Sequence, residues 1–196
     1  MSEATSIAMI ILAAGASRRL GRPKQLLVHD DRTLLRHAVD TALGADCGPV
    51  VVVLGDKADE LRVAIADISA TIIENASRAE GMSSSIRRGV SEVQARFPAC
   101  NAVLFMVCDQ PHVSIGLLRR IVELHRGGRP IVACRYADTV GVPALFDRRF
   151  FPGLLALAGD RGAKGIVQAN LDMAGLVPFP GGEIDVDLPG DVAEGR

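Results

Sequence analysis

The chain has no tryptophan, one tyrosine and only 4% aromatic residues, so it lacks the stacking surfaces that a reader of single-stranded nucleic acid needs. It also lacks an excess of either charge: 22 basic residues face 23 acidic ones, for a net charge of -1. That balance argues against a general nucleic-acid binder or a membrane-surface binder, though not against a local basic pocket. The four cysteines, Cys47, Cys100, Cys108 and Cys134, form neither a Cys-x-x-Cys pair nor a zinc spacing. Buried free thiols in a reducing, cytoplasmic setting are the expectation. The opening "MSEATSIAMIILAAG" has no basic stretch, and its apolar run is short, so neither a secretory leader nor a membrane span is expected.

What the chain does have is alternation. Its 196 residues fit one domain. Short greasy runs ("IAMIILAA", "PVVVVLG", "ATIIEN", "NAVLFMVCD", "PIVACR") alternate with helical patterns ("TLLRHAVDTAL", "KADELRVAIAD", "SSSIRRGVSEVQARF", "IGLLRRIVELHR"). Strands apolar on both sides suit a sheet covered on both faces. The pattern predicts an α/β fold, three-layer and doubly wound, with a mostly parallel sheet. After Arg135 the pattern is less regular, and a small insertion or lid is expected around 136–170 within one domain spanning 1–196. Ligands of such sheets bind beyond the strands' carboxyl ends, so the loops after Ala14, Gly55, Glu74 and Val107 are the places to search.

The first of those loops, "LAAGASRRLGRPK", looks built for an anion. Ala13, Ala14, Gly15 and Ala16 let backbone approach a ligand, and Arg19 and Lys24 add positive charge. A solvated basic loop is the bland alternative. The P-loop spacing fails here, and the dinucleotide fingerprint G-x-G-x-x-G is absent. Asp109 stands at the end of the buried run "VLFMV", where a charge needs a partner; it reads as a Mg²⁺ ligand or as a helix cap, although Ser114 is better placed to cap. Among Ser83, Ser84 and Ser85, helix capping explains one, and the others could donate to a base or ribose. In "EIDVDLPGD" an EF-hand reading fails because position twelve is Arg196. Asp160 is poised to cap a helix carrying Ala163, Ile166 and Val167. Arg161 and Lys164 at that helix start oppose its dipole and so suggest a bound anion. The scattered histidines carry no site, and Cys108 reads as core.

"LAAGASRRLGRPKQLL" resembles the signature L-A-A-G-x-S-x-R-[ML]-G-x-x-K of MobA-like nucleotidyltransferases, and is most similar to their molybdenum cofactor cytidylyltransferase (MocA-like) branch. The likeness runs over nearly the whole chain. It implies a Rossmann-like nucleotide-binding half, as in nucleotide-diphospho-sugar transferases. It implies that Arg19 and Lys24 neutralise a triphosphate, while Leu12, Ala13, Ala14 and Gly15 hold base and ribose. Gly81 and Ser85 match the family's Gly-Met-x-x-Ser segment as further nucleotide contacts. Asp109, in Asp-Gln-Pro, and Asp187, in the later Asp-x-Asp segment, would hold Mg²⁺. Arg161 and Lys164 would meet the acceptor's phosphate. The catalytic set is thus Arg19, Lys24 and Asp109. The implied reaction moves CMP from CTP to a phosphate of molybdopterin or molybdenum cofactor, releasing pyrophosphate, with a molybdoenzyme or its chaperone as a conceivable partner. CTP is expected over GTP because the second Ala of Leu-Ala-Ala-Gly tends to be Gly in the guanylyl branch. Val142 replaces the family's His in Gly-His-Pro, so an imidazole contact to the acceptor is lost. A transferase using GTP or a sugar phosphate, and a non-catalytic cofactor-binding chaperone, remain as alternatives.

Overall fold

The computed structural model describes residues 6–15 and 22–184. Strand β1 (Ser6–Ala13) is an interior strand of a seven-stranded sheet. Its alternate residues enter two cores. Ile7, Met9 and Ile11 face one side, Ala8 and Ile10 the other, and all five are fully buried. A strand apolar on both sides thus does what its composition requires, placing one set of side chains in each of two helix-covered layers.

The other strands are β2 (Val28–His29), β3 (Arg32–Thr33), β4 (Val50–Leu54), β5 (Thr71–Glu74), β6 (Cys100–Val107), β7 (Ile131–Tyr136), β8 (Thr139–Asp147) and β9 (Ala174–Pro178). The large sheet has the order β5-β4-β1-β6-β8-β7-β9, and β2-β3 is a separate small hairpin. β5, β4, β1 and β6 are parallel. β8 alone runs against its neighbours, antiparallel to both β6 and β7, and β9 is parallel to β7. The sheet is therefore mostly parallel and the fold α/β, as the alternation predicted.

Helices α1 (Leu34–Ala45), α2 (Ala58–Val63) and α4 (Ile115–Arg126) share the first core, while α3 (Met82–Arg96), α5 (Phe151–Leu155) and α6 (Lys164–Gln168) share the second. Thr33 caps α1 through the Arg36 amide, and Ser114 caps α4 through the Leu117 amide. Helix α3 carries Gly89 in its middle, a residue that weakens an isolated helix. A Cβ there would meet the Ile10 side chain at 2.7 Å, so glycine lets α3 lie close on β1 and fixes where its first turn stands.

The segment after Arg135 holds a strand that its sequence hides. β8 contains Gly141 and Pro143, residues that argue against a strand between two others. The β7–β8 register jumps from Ala133↔Ala144 to Cys134↔Gly141, so Val142 and Pro143 sit in a bulge where no ladder amide is needed. The turn between β7 and β8 places Ala137 and Asp138 at positive φ, as a tight hairpin turn requires, without the usual Asn-Gly signal. Residues 148–170 then form a short turn and the two short helices α5 and α6.

Candidate active site

The loops following β1, β4, β5 and β6 all open onto one cavity of about 920 Å³. Leu12, Ala13, Ala14, Gly15, Lys24, Gly81, Ser85 and Asp109 line it, so the structure gathers these sequence-selected residues in one place. Arg19 and Asp187 lie outside the described residues.

Lys24 begins a 3₁₀ turn, Lys24–Leu26, that follows the first loop. Its ammonium forms an ion pair with the Asp109 carboxylate, which stands beyond the end of β6. The side chains are 20% and 15% exposed, so the pair is shielded but not sealed. A charge at the end of a buried strand has found the partner it needs. The helix-cap reading of Asp109 is set aside, because Ser114 caps the next helix.

Gln25, which sequence reasoning passed over, holds the first loop. It is 1% exposed, and its Nε2 donates to the carbonyls of Ala13 and Gly15, each at 2.9 Å. Two acceptors committed to Gln25 are not left to repel an anion. Its sequence signal is faint: one amide between a lysine and a leucine pair.

The opposite side of the cavity is the first turn of α3. Gly81 has φ +96, and a Cβ on it would come within 2.7 Å of the Gly159 carbonyl oxygen. Glycine is required there twice over, by backbone conformation and by space. Ser83, Ser84 and Ser85 are all buried within the turn rather than preceding it. Asn75, at the end of β5, organises them: its Nδ2 donates to Ser84 Oγ at 2.8 Å and to Ser85 Oγ at 3.0 Å. Its Oδ1 accepts from the Ser77 amide. Ser84 in turn donates to the Gly81 carbonyl at 2.7 Å. Asn75 was also missed, although an amide closing the greasy run "TII" gives the same signal as Asp109 closing "VLFMV". Asp56 and Arg78 also line the cavity and form an ion pair with each other.

Asp160 corrects the expectation that it would cap its own helix. α6 begins after Ala163 with no side-chain cap. Asp160 instead lines the large cavity, and its Oδ1 accepts from the Met82 amide at 3.3 Å, at the start of α3. Arg161 and Lys164 do not face Asp109's cavity; they line a separate one of about 590 Å³, and Lys164 Nζ donates to Thr139 Oγ1. Beside Asp109, Gln110 is buried and donates from Nε2 to the Gly182 carbonyl at 2.7 Å. Its Oε1 has no partner among the described residues.

The four cysteines are free and buried. Burial, and then the neighbouring Asp109 charge, push the Cys108 thiol far above its ordinary pKa; burial alone raises Cys134 to about 12. Neutral thiols of this kind are core, not nucleophiles. Among the described residues, no helix is long and apolar enough to cross a membrane.

Known proteins share this architecture. The family model described as the MobA-like NTP transferase domain matches residues 9–174. Nicotine blue oxidoreductase of Paenarthrobacter nicotinovorans is 33% identical over 164 residues, covering 79% of this chain and 78% of that protein. Molybdenum cofactor cytidylyltransferase of Escherichia coli K12 is 31% identical over 125 residues, covering 63% and 62%. The crystal structure of Rv0371c from Mycobacterium tuberculosis H37Rv superposes with a TM-score of 0.83 at 34% identity, covering 97% of each chain. The same protein has been solved in complex with manganese, with a TM-score of 0.79 at 32% identity and coverage of 96% and 97%.

Proposed function

Because the chain belongs to the MobA-like NTP transferase family and is thereby a nucleotidyltransferase, we propose that it transfers CMP from CTP to a phosphate of molybdopterin or molybdenum cofactor. The observation that carries the reading is the Lys24–Asp109 pair facing the large cavity at the carboxyl ends of β1 and β6. One cationic and one anionic group side by side suit a substrate that is a polyanion and a reaction that uses a cation.

Asp109 fits a divalent metal. Its carboxylate faces the cavity and already holds a cationic group, the Lys24 ammonium. No cluster of three ligating side chains occurs among the described residues. Mg²⁺ does not require one, since it takes one or two carboxylates with phosphate oxygens and water. Asp109, with Asp187 as the second carboxylate, would hold Mg²⁺, which when bound neutralises charge around the α-phosphate. Gln110, next to Asp109, donates to the carbonyl of Gly182, which precedes Asp187 in the sequence.

The chain's own residues do the rest. Leu12, Ala13, Ala14 and Gly15 receive the base and ribose, with Gly81 and Ser85 across from them. Ser85 Oγ accepts from Asn75, which leaves its proton for a nucleotide acceptor. Lys24 and Arg19 stabilise the departing pyrophosphate as an acceptor phosphate oxygen bonds to the α-phosphorus and the bond to the bridging oxygen breaks. Arg161 and Lys164 bind the acceptor's phosphate, with residues 136–170 forming that side of a single domain. The packing of Ala14 against the base favours cytosine over guanine by about ten-fold.

The name of one relative, an oxidoreductase, favours a second reading, a redox reaction on a substrate. One experiment separates the two. Purified protein is offered each of the four NTPs with Mg²⁺, with and without molybdopterin, and pyrophosphate is measured; NADPH and NADH consumption is followed in parallel. Pyrophosphate release with CTP that depends on molybdopterin is the expected result. A GTP preference moves the protein to the guanylyl branch. Dinucleotide oxidation without pyrophosphate release replaces the transferase reading.

A further inference from the structure

Arg87 stands in the second turn of α3 and lines neither cavity, yet it touches a wall of each. Its Nη2 donates to the Glu80 carboxylate at 2.5 Å, and Glu80 lines the large cavity. Its Nη1 donates to the Leu157 carbonyl at 2.6 Å, and Leu157 lines the smaller one. The same Nη1 reaches Ser83 Oγ at 3.1 Å. Ser83 is fully buried, and its hydroxyl passes the chain on, donating to the Gly159 carbonyl at 2.6 Å.

Around this strut, the loop at 157–160 is clasped to the start of α3. Helix α3 begins on Gly81, which has no side chain to cap it. Two of its free amides are satisfied from the loop instead: Met82 by Asp160 Oδ1 and Ser83 by the Gly159 carbonyl, both at 3.3 Å. The missing Cβ of Gly81 is the space that Gly159 and Asp160 fill. Moving the loop away would strand the Ser83 amide and the Ser83 hydroxyl, whose residue is fully buried, each costly to leave without a partner.

We propose that Arg87 is a positioning residue that keeps the α3 side of the nucleotide site in register with the 157–160 loop, so that a nucleotide bound at Gly81 and Ser85 also orders the loop that leads to Arg161 and Lys164. The inference rests on the reading of the large cavity as the nucleotide site. Its strength does not lie in the Glu80 ion pair, whose carboxylate is more than half exposed and so contributes little. It lies in the planar fork, which fixes three acceptors at once. A lysine keeps the charge but has no such fork.

The test uses the whole chain as wild type, Arg87→Lys and Ser83→Ala, with CTP and Mg²⁺ as the probe. Calorimetry gives CTP affinity well below the melting temperature, and hydrogen exchange with mass spectrometry follows peptides covering 157–164. In the wild type, CTP is expected to slow exchange in those peptides. In both variants that slowing should be lost, and Kd for CTP should rise about three- to ten-fold, the size of one lost hydrogen bond. Ser83→Ala leaves every charge in place, so it keeps the test valid if Arg87→Lys folds poorly. Variants that melt lower but bind CTP with wild-type affinity, with exchange at 157–164 still slowed, reduce Arg87 to a fold stabiliser and overturn the inference. A wild type that binds CTP without slowing exchange overturns it as well, while leaving the nucleotide reading standing. A wild type that binds no NTP overturns that reading, and this inference with it.

Discussion

The Lys24–Asp109 pair on the cavity wall and the floor made by α3 face the same cavity but are held by different forces. On the wall, Lys24 and Asp109 are joined chiefly by charge. On the floor, Asn75, Ser84 and Gly81 are joined by short neutral hydrogen bonds and by backbone contact closer than a Cβ allows. Breaking the Lys24–Asp109 pair removes one side-chain contact and leaves the Gln25 bonds to the first loop in place. The floor cannot change without repacking the start of α3. A site that must grip and release a polyanion can use the first kind of bonding for the reacting groups and the second to define shape.

Substitutions on the wall should therefore cost function more than stability. The largest effect is expected for Asp109→Asn: nearly isosteric, it should lower the rate of pyrophosphate release at least about a hundred-fold, with circular dichroism unchanged. Wild-type turnover in this variant would remove Asp109 from the metal. Lys24→Ala should come next, weakening CTP binding by about ten- to a hundred-fold, and more so at low salt. Unchanged calorimetric affinity would sink the role given to the first loop. On the floor the order reverses. Gly81→Ala should destabilise the fold by about 1–3 kcal/mol or more in urea denaturation, because it meets both an unfavourable φ and the Gly159 carbonyl. If it unfolds at the wild-type midpoint, the floor is softer than its contacts imply and the contrast with the wall fails.

The sequence disclosed the parallel half of the molecule more fully than the other half. β1, β4 and β6 are mostly apolar runs, and burial on both faces is the one environment that suits them. β8 escaped because its Gly141 and Pro143 contradict a strand unless a bulge is known to be there, and bulges are set by the partner strand's register. At the site, residues with a strong local signal were found: small residues ending β1, and a carboxylate ending β6. Gln25 and Asn75 were not, because a buried amide acts through carbonyls and hydroxyls that become neighbours only in the folded chain. Asp160 was given the wrong helix for the same reason. A capping side chain has a clear chemical preference, but sequence offers it only the nearest helix, and the fold supplied one 78 residues away.

The Lys24–Asp109 pair also has an accounting consequence for anything that enters the cavity. An anion drawn to Lys24 must first displace the carboxylate, and a cation drawn to Asp109 must first displace the ammonium. Either visitor arriving alone breaks this ion pair and replaces it on one side only. Visitors arriving together replace one neutral pair by two, and each removes the penalty the other would have met. Binding of one is thereby linked to binding of the other, and by the symmetry of linkage the help is equal in both directions. The resting pair thus works as a two-key lock, disfavouring a stray cation or a stray anion and admitting the two as one package.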